Sequence, residues 1–132
     1  MKRLTIDSSV IIASLLNNET RHQEAVRIWE DVLSGKNVAI LPYSVLVEVV
    51  AAIRRRTGSK TLALQIKNEL VMIDTVSFVA LDDESAESAA NIAAETGVRG
   101  MDALVIQVAQ EFDAQLISFD EEMMEKAALQ KR

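Results

Sequence analysis

Tyr43-Ser44-Val45-Leu46-Val47-Glu48-Val49-Val50-Ala51-Ala52-Ile53 is a helical stretch that is apolar nearly all the way round, with one acid in its middle. A carboxylate taken out of water costs several kcal/mol unless a cation or dense hydrogen bonding compensates it. No other element carries a basic residue inside an apolar run, so the missing positive charge is expected to be a metal ion rather than a side chain. The stretch also sets the architecture. It follows a short apolar run, Val38 to Leu41, and the same succession of short apolar run and longer helical pattern recurs along the chain. That alternation implies parallel strands joined by crossover helices, an α/β fold.

The expected strands are Arg3 to Ile6, Val38 to Leu41, Phe78 to Leu81 and Leu116 to Ser118, none with the polar alternation of a sheet that has one wet face. Thr20 with Gln23 reads as a capping box opening a helix through Ala25, Ile28, Trp29, Val32 and Leu33 to near Gly35. Pro42 suits the first turn of the quoted helix, which Gly58 stops after Thr57. Ser59 restarts a helix through Leu62, Ile66 and Leu70, forming a hairpin with the one before. Asp83 or Ser85 caps an Ala-rich helix ending at Gly97. A helix from about Met101 to Phe112 leads to the last strand, and a final one from about Asp120 carries Met123, Met124 and Leu129.

At 132 residues, 49% of them hydrophobic, the whole chain (1–132) reads as one compact domain. With no cysteine there are no disulfides, thiolate metal sites or cysteine nucleophile, which suits a reducing cytoplasm. The start, Met1-Lys2-Arg3-Leu4, does not read as a signal peptide, and no apolar run approaches a membrane span. The net charge of −6 argues against a general nucleic-acid coat protein. It leaves room for an enzyme on nucleic acid, since a divalent cation among carboxylates inverts the local field.

Four acids matter by position. Asp7 directly follows the first strand and Asp120 follows the last by two residues; Glu48 lies in the second turn of the helix after the second strand, and Asp102 in the first turn of the helix before the last. Right-handed crossovers return helix starts to the carboxyl edge of the sheet, where ligands sit in such folds. All four can meet in one cleft, and repelling carboxylates of this kind are stable in charged form mainly around Mg²⁺ or Mn²⁺. Each has a plainer reading. Asp7 can cap a helix at Ser8 or Ser9, Asp102 can answer a helix dipole, and Asp120 can open the last helix with Glu121 and Glu122. Glu48 resists one, because it neither caps nor sits on a polar face.

The segments Ile6-Asp7-Ser8-Ser9-Val10-Ile11-Ile12, Ser44-Val45-Leu46-Val47-Glu48, Met101-Asp102-Ala103-Leu104-Val105 and Leu116-Ile117-Ser118-Phe119-Asp120 fall in the order and spacing of one family. The chain resembles the PIN-domain ribonucleases, and particularly the toxins of VapBC toxin–antitoxin pairs, over essentially its whole length. Ser118 stands where Thr is common, and little chain remains for a fifth strand. The resemblance implies a three-layer α/β/α fold with a parallel sheet of four or five strands. It also implies that Asp7, Glu48, Asp102 and Asp120 hold one or two divalent metals, that RNA is cut to 5′ phosphate and 3′ hydroxyl ends, that a small antitoxin blocks the site, and that the protein is a homodimer.

On this reading the chain is a Mg²⁺- or Mn²⁺-dependent endoribonuclease, the toxin of a type II toxin–antitoxin system. Asp7 and Asp102 are the expected direct ligands, Glu48 a ligand or water-orienting base, and Asp120 a completing acid. Metal-free ribonuclease chemistry usually needs a positioned acid and base, and the single histidine, His22, reads as solvated. Ser8, Ser44 and Ser118 are candidates to hydrogen-bond the carboxylates, or else to cap helices and strand ends. Arg54, Arg55, Arg56 and Lys60 form a basic cluster suited to phosphates or to a helix C-terminus. Arg99 stands near Asp102, with an i,i+4 pair to Glu95 as the commoner outcome. A PIN-like RNA- or protein-binding module with feeble catalysis and a structural ion is the alternative. A phosphotransfer receiver domain would want paired acids after the first strand and a lysine after the last, and neither is present.

Overall fold

Strand order follows from where the apolar runs can pair. In the computed structural model, which describes residues 1–130, the elements are β1 (Lys2–Ile6), α1 (Ser8–Leu15), α2 (His22–Leu33), β2 (Asn37–Pro42), α3 (Tyr43–Thr57), α4 (Lys60–Val71), β3 (Val76–Val79), α5 (Asp83–Thr96), α6 (Gly100–Glu111), β4 (Gln115–Ile117) and α7 (Glu121–Gln130). The four strands are all parallel, in the order β3-β2-β1-β4, with Leu4 opposite both Ala39 and Gln115. Right-handed connections put α1 to α4 on one face and α5 with α6 on the other. Accordingly α1 packs on α2 and α3, and α4 on β3, while α6 lies along β1, β2 and β4 and carries α5. The result is three layers, α/β/α, with a four-stranded sheet.

Burial explains the sequence patterns. Ile6 and Leu41 in the central strands are fully buried, and α3 presents Val45, Val49 and Ile53 at spacings of four to the same core. Thr5, also fully buried, donates its hydroxyl to the Ile40 carbonyl at 2.8 Å and so costs little. Gly58, at φ 72°, ends α3 in the left-handed conformation, and Ser59 caps α4 by accepting from the Leu62 amide at 3.0 Å.

Several expected boundaries move. β3 covers Val76–Val79 rather than Phe78 to Leu81, because its last partner on β2 is Pro42; beyond that Leu81 is 59% exposed. Pro42 is the end of β2 and the N-cap of α3, not its first turn; its fixed φ serves an extended residue equally well. No Thr20–Gln23 capping box forms. The helix opens at His22, where Arg21 grips Glu24 through two bonds of 2.9 Å. Nor is His22 simply solvated: its Nδ1 sits 2.7 Å from the Ala13 carbonyl and ties α2 to α1. Asp82, one residue earlier than expected, caps α5 through the Ser85 amide at 2.8 Å. Met123 of α7 is buried whereas Leu129 is 63% exposed.

Ile53→Ala should lower stability by about 2–5 kcal/mol, measured by chemical denaturation, since it opens a cavity under α3. Arg54→Ala, one residue along and exposed, should stay within about 0.5 kcal/mol.

Candidate active site

Ligands in open parallel sheets bind beyond the carboxyl ends of the strands where the order of connection reverses. Here that point lies between β1, which sends the chain toward β2, and β4, which receives it from across the sheet. Asp7 is the residue after β1, and its amide extends the ladder to the Ile117 carbonyl at 2.8 Å. Its side chain is buried. Although Asp7 is the N-cap of α1, the carboxylate makes no capping bond; Oδ2 instead accepts from Ser9 Oγ and Ser118 Oγ, each at 2.9 Å. The plain capping reading of Asp7 therefore fails.

The other acids join this centre through neighbours. Ser118 Oγ, while donating to Asp7, accepts from the Asp120 amide at 3.0 Å. Asp120 divides its carboxylate: Oδ1 accepts from the Met123 amide at 3.1 Å and caps α7, while Oδ2 lies 3.7 Å from Arg99. Arg99 Nε also approaches Asp102 Oδ2 at 3.4 Å. On the opposite side Ser8 Oγ, from the first turn of α1, donates to Glu48 Oε1 at 3.1 Å.

Burial and mutual repulsion set the charge state. Glu48 is held above the usual carboxylate range chiefly by desolvation, with Asp7 and Asp102 adding to the rise and the Ser8 hydroxyl and Arg99 opposing it. Asp102 is also raised, first by desolvation, then by Asp7 and Asp120, against the pull of Arg99. Arg99 is raised in turn, mostly by Asp102. Glu48 thus feels Asp7 and Asp102, and Asp102 feels Asp7 and Asp120, so the repulsion links the four acids in series.

Two expectations need correction. A side-chain cation does face the acids: Arg99 pairs with Asp102 and Asp120, not with Glu95, which accepts from Gln130 instead. Its side chain is 81% exposed, so the pairing is weak and exchangeable. Ser44 meets no carboxylate; its buried hydroxyl has no hydrogen-bond partner among the described residues. Sequence reasoning also missed Ser9, which donates to Asp7 and accepts from the Phe119 amide at 3.2 Å. The doubled serine after Asp7 was its signal. Of the basic cluster, Arg55 and Arg56 line a groove that also contains Ser9 and Phe119, whereas Arg54 does not line it.

Among the described residues no three side chains already close around one point as a metal shell. The donor chemistry nevertheless fits a hard divalent cation: carboxylate oxygens, two of them on groups whose pKa is raised first by burial and then by neighbouring acids, steadied by serine hydroxyls.

The PIN-domain sequence profile matches residues 4–129. The chain belongs to the PIN-domain family. Two solved structures are similar to this PIN domain. One is Mycobacterium tuberculosis VapC20, described as a sarcin–ricin-loop-cleaving toxin, with TM-score 0.77, 21% identity and 94% of each chain covered. The other is a toxin–antitoxin complex from Klebsiella pneumoniae, with TM-score 0.58, 16% identity, and 88% of this chain and 83% of that one covered. At such identities the likeness is one of fold. No curated protein matches the chain in sequence. No helix among the described residues is long and apolar enough to cross a membrane.

Because folding raises the pKa of Glu48, it favours the neutral acid. The stability this gives is complete below the ordinary carboxylate range and is lost as pH rises through the raised value. Glu48→Gln, which fixes a neutral side chain that can still accept from Ser8, should therefore melt a few degrees above wild type at neutral pH in chelator. The gap should close on acidification, as followed by calorimetry across pH.

Proposed function

We propose that this PIN domain is a Mg²⁺- or Mn²⁺-dependent endoribonuclease acting as the toxin of a type II toxin–antitoxin pair. The observation that carries the reading is the assembly of Asp7, Glu48, Asp102 and Asp120 at the strand-order reversal, joined by Ser8, Ser118 and Arg99. In this reading Asp7 and Asp102 hold the cation directly, Glu48 holds it or orients the attacking water, and Asp120 completes the site. One or two such ions would lower the pKa of water and neutralise charge gathering on the scissile phosphate.

The protein supplies geometry and proton control. Ser118 and Ser9 both donate to one oxygen of Asp7, so that carboxylate is fixed in rotation and its other oxygen is left for a ligand. Ser8 does the same for Glu48. Burial pushes the Glu48 carboxyl up, the direction that makes a carboxylate a better proton acceptor, which suits it to take a proton from water. Arg99 pairs weakly with Asp102 and Asp120, and a cation held by those acids would leave its exposed guanidinium for the phosphate.

Partner and substrate follow the similar structures. VapC20 is described as cleaving the sarcin–ricin loop and the Klebsiella structure as a toxin–antitoxin complex. We extend both to this chain as an RNA substrate and a small antitoxin that enters the acid cleft with a basic side chain, together with a C2 homodimer and a cytoplasmic setting. Residues 1–132 would form one nuclease domain.

Wild-type protein should cut single-stranded and hairpin RNA in Mg²⁺ or Mn²⁺ and stop on chelation. Asp7→Asn and Asp102→Asn should each reduce the rate by more than about 100-fold, and Ser118→Ala by about 10–100-fold, measured on gel-resolved products. Equal cutting by wild type and both Asn variants would leave a binding module as the reading.

A further inference from the structure

A groove of about 380 Å³ adjoins the acid cleft. The two share Ser9, whose hydroxyl donates to Asp7 and also lines the groove. Phe119 lines it too; it lies between Ser118 and Asp120 in the chain and is pinned to Ser9 through its amide. The remaining polar walls are Glu19, Thr20, Arg21, Arg55 and Arg56.

Three guanidinium groups line the groove; Glu24 answers Arg21 and Glu19 answers Arg56, which leaves the Arg55 charge to the groove. The Arg21 guanidinium lies over the Phe119 ring, 3.8 Å from its centroid, and is held in that plane by its paired bonds to Glu24. Arg56 meets Glu19 at 3.2 Å in a half-exposed pair of the kind that contributes little and exchanges readily. Arg55 is exposed and has no ion pair among the described residues. The cluster Arg54 to Arg56 is thus split by the fold, two of its members facing this groove and one not.

Cations spaced along a trough beside a guanidinium plane that an aromatic ring backs suit a single-stranded nucleic acid: phosphates find charge, and an unstacked base finds a flat face on Arg21, with Phe119 behind it. A duplex keeps its bases stacked and has no use for the ring. An acidic peptide would use the arginines but not the plane formed by Arg21 and Phe119.

We propose that this groove seats the RNA strand flanking the cleaved bond, with phosphates on Arg55 and Arg56 and an unpaired base against the Arg21–Phe119 stack. The inference rests on the ribonuclease reading above and adds to it the path of the bound strand beside the acids. It also assigns Arg21 and Phe119 as substrate-positioning residues, which neither the family match nor the acid cluster does. The shared Ser9 gives the arrangement its economy, since the residue that steadies Asp7 also forms the groove wall, keeping bound strand and acids in fixed relation.

The test uses full-length Asp7→Asn protein in Mg²⁺, so that RNA is bound without being cut, with a fluorescein-labelled single-stranded RNA titrated by anisotropy across a range of salt. Adding Arg55→Gln should weaken binding about three- to tenfold and lower the log–log salt slope by about one. Adding Phe119→Leu should weaken it at least about fivefold without changing the slope. Lys67→Gln on α4, an equal loss of charge at an exposed site away from the groove, should change neither, and a duplex of the same sequence should bind no differently to the parent and to the Phe119→Leu protein. Melting curves matching the parent would show that the variants are folded; Arg55→Gln alters only an exposed side chain and decides the matter if Phe119→Leu is damaged. Variants that bind RNA as well as the parent overturn the groove and leave the nuclease reading intact. Binding of a protein partner lost while RNA affinity is kept would assign the groove to that partner and also overturn it. A parent that binds no RNA overturns the groove, and chelator-sensitive cleavage by wild type then decides whether the ribonuclease reading stands.

Discussion

Like charges brought together out of water are the constraint around which this molecule is arranged. A parallel sheet whose connections reverse direction between β1 and β4 opens a gap at its carboxyl edge, and the chain lines that gap with carboxylates from four separate elements. Left to themselves those groups would take up protons or push the helices apart. What restrains them in the protein is a set of short contacts: serine hydroxyls on Asp7 and Glu48, the Asp120 amide on Ser118, and one arginine across Asp102 and Asp120.

That arrangement opposes stability locally, and the rest of the fold carries it. The core runs unbroken from Ile6 and Leu41 in the sheet to Val45, Val49 and Ile53 on one side and Val105 and Ile106 on the other. Consistent local choices surround the exception, with caps at Ser59 and Asp82 and a left-handed glycine after α3. A glutamate midway along an apolar helix breaks the pattern at one place, and that place is the cleft. Proteins commonly concentrate such violations where they work on something else.

Residue periodicity made the parallel strands, their crossover helices and the four acids legible, because burial on both faces of a parallel sheet leaves an unmistakable run of apolar residues and a lone acid within one is conspicuous; the three layers came from the family resemblance. Register was not legible. Where β3 stops depends on Pro42 in another strand, and nothing near Phe78 or Leu81 encodes it. Contacts between separate elements escaped for the same reason: His22 finds the Ala13 carbonyl, and Ser9 receives the Phe119 amide across 110 positions. Arg99 was assigned to Glu95 because a helix face is the cheapest assumption, yet as the N-cap of α6 it lies outside that face and turns to the acids. Arg21 gave no hint of its stack on Phe119, since that pair exists only once β4 has been placed.

The exposure of Arg99 has a consequence of its own. It is the cation closest to the acids among the described residues, and with 81% of its side chain in solvent its hold on them passes through water. At physiological ionic strength fields in water fade over about 8 Å, so mobile ions weaken this attraction sooner than they weaken the repulsion between the more sheltered carboxylates. The tension in the cleft is therefore governed partly by the surrounding electrolyte: dilute buffer lets the arginine calm it, and a saltier one hands that task to whatever multivalent ion is at hand.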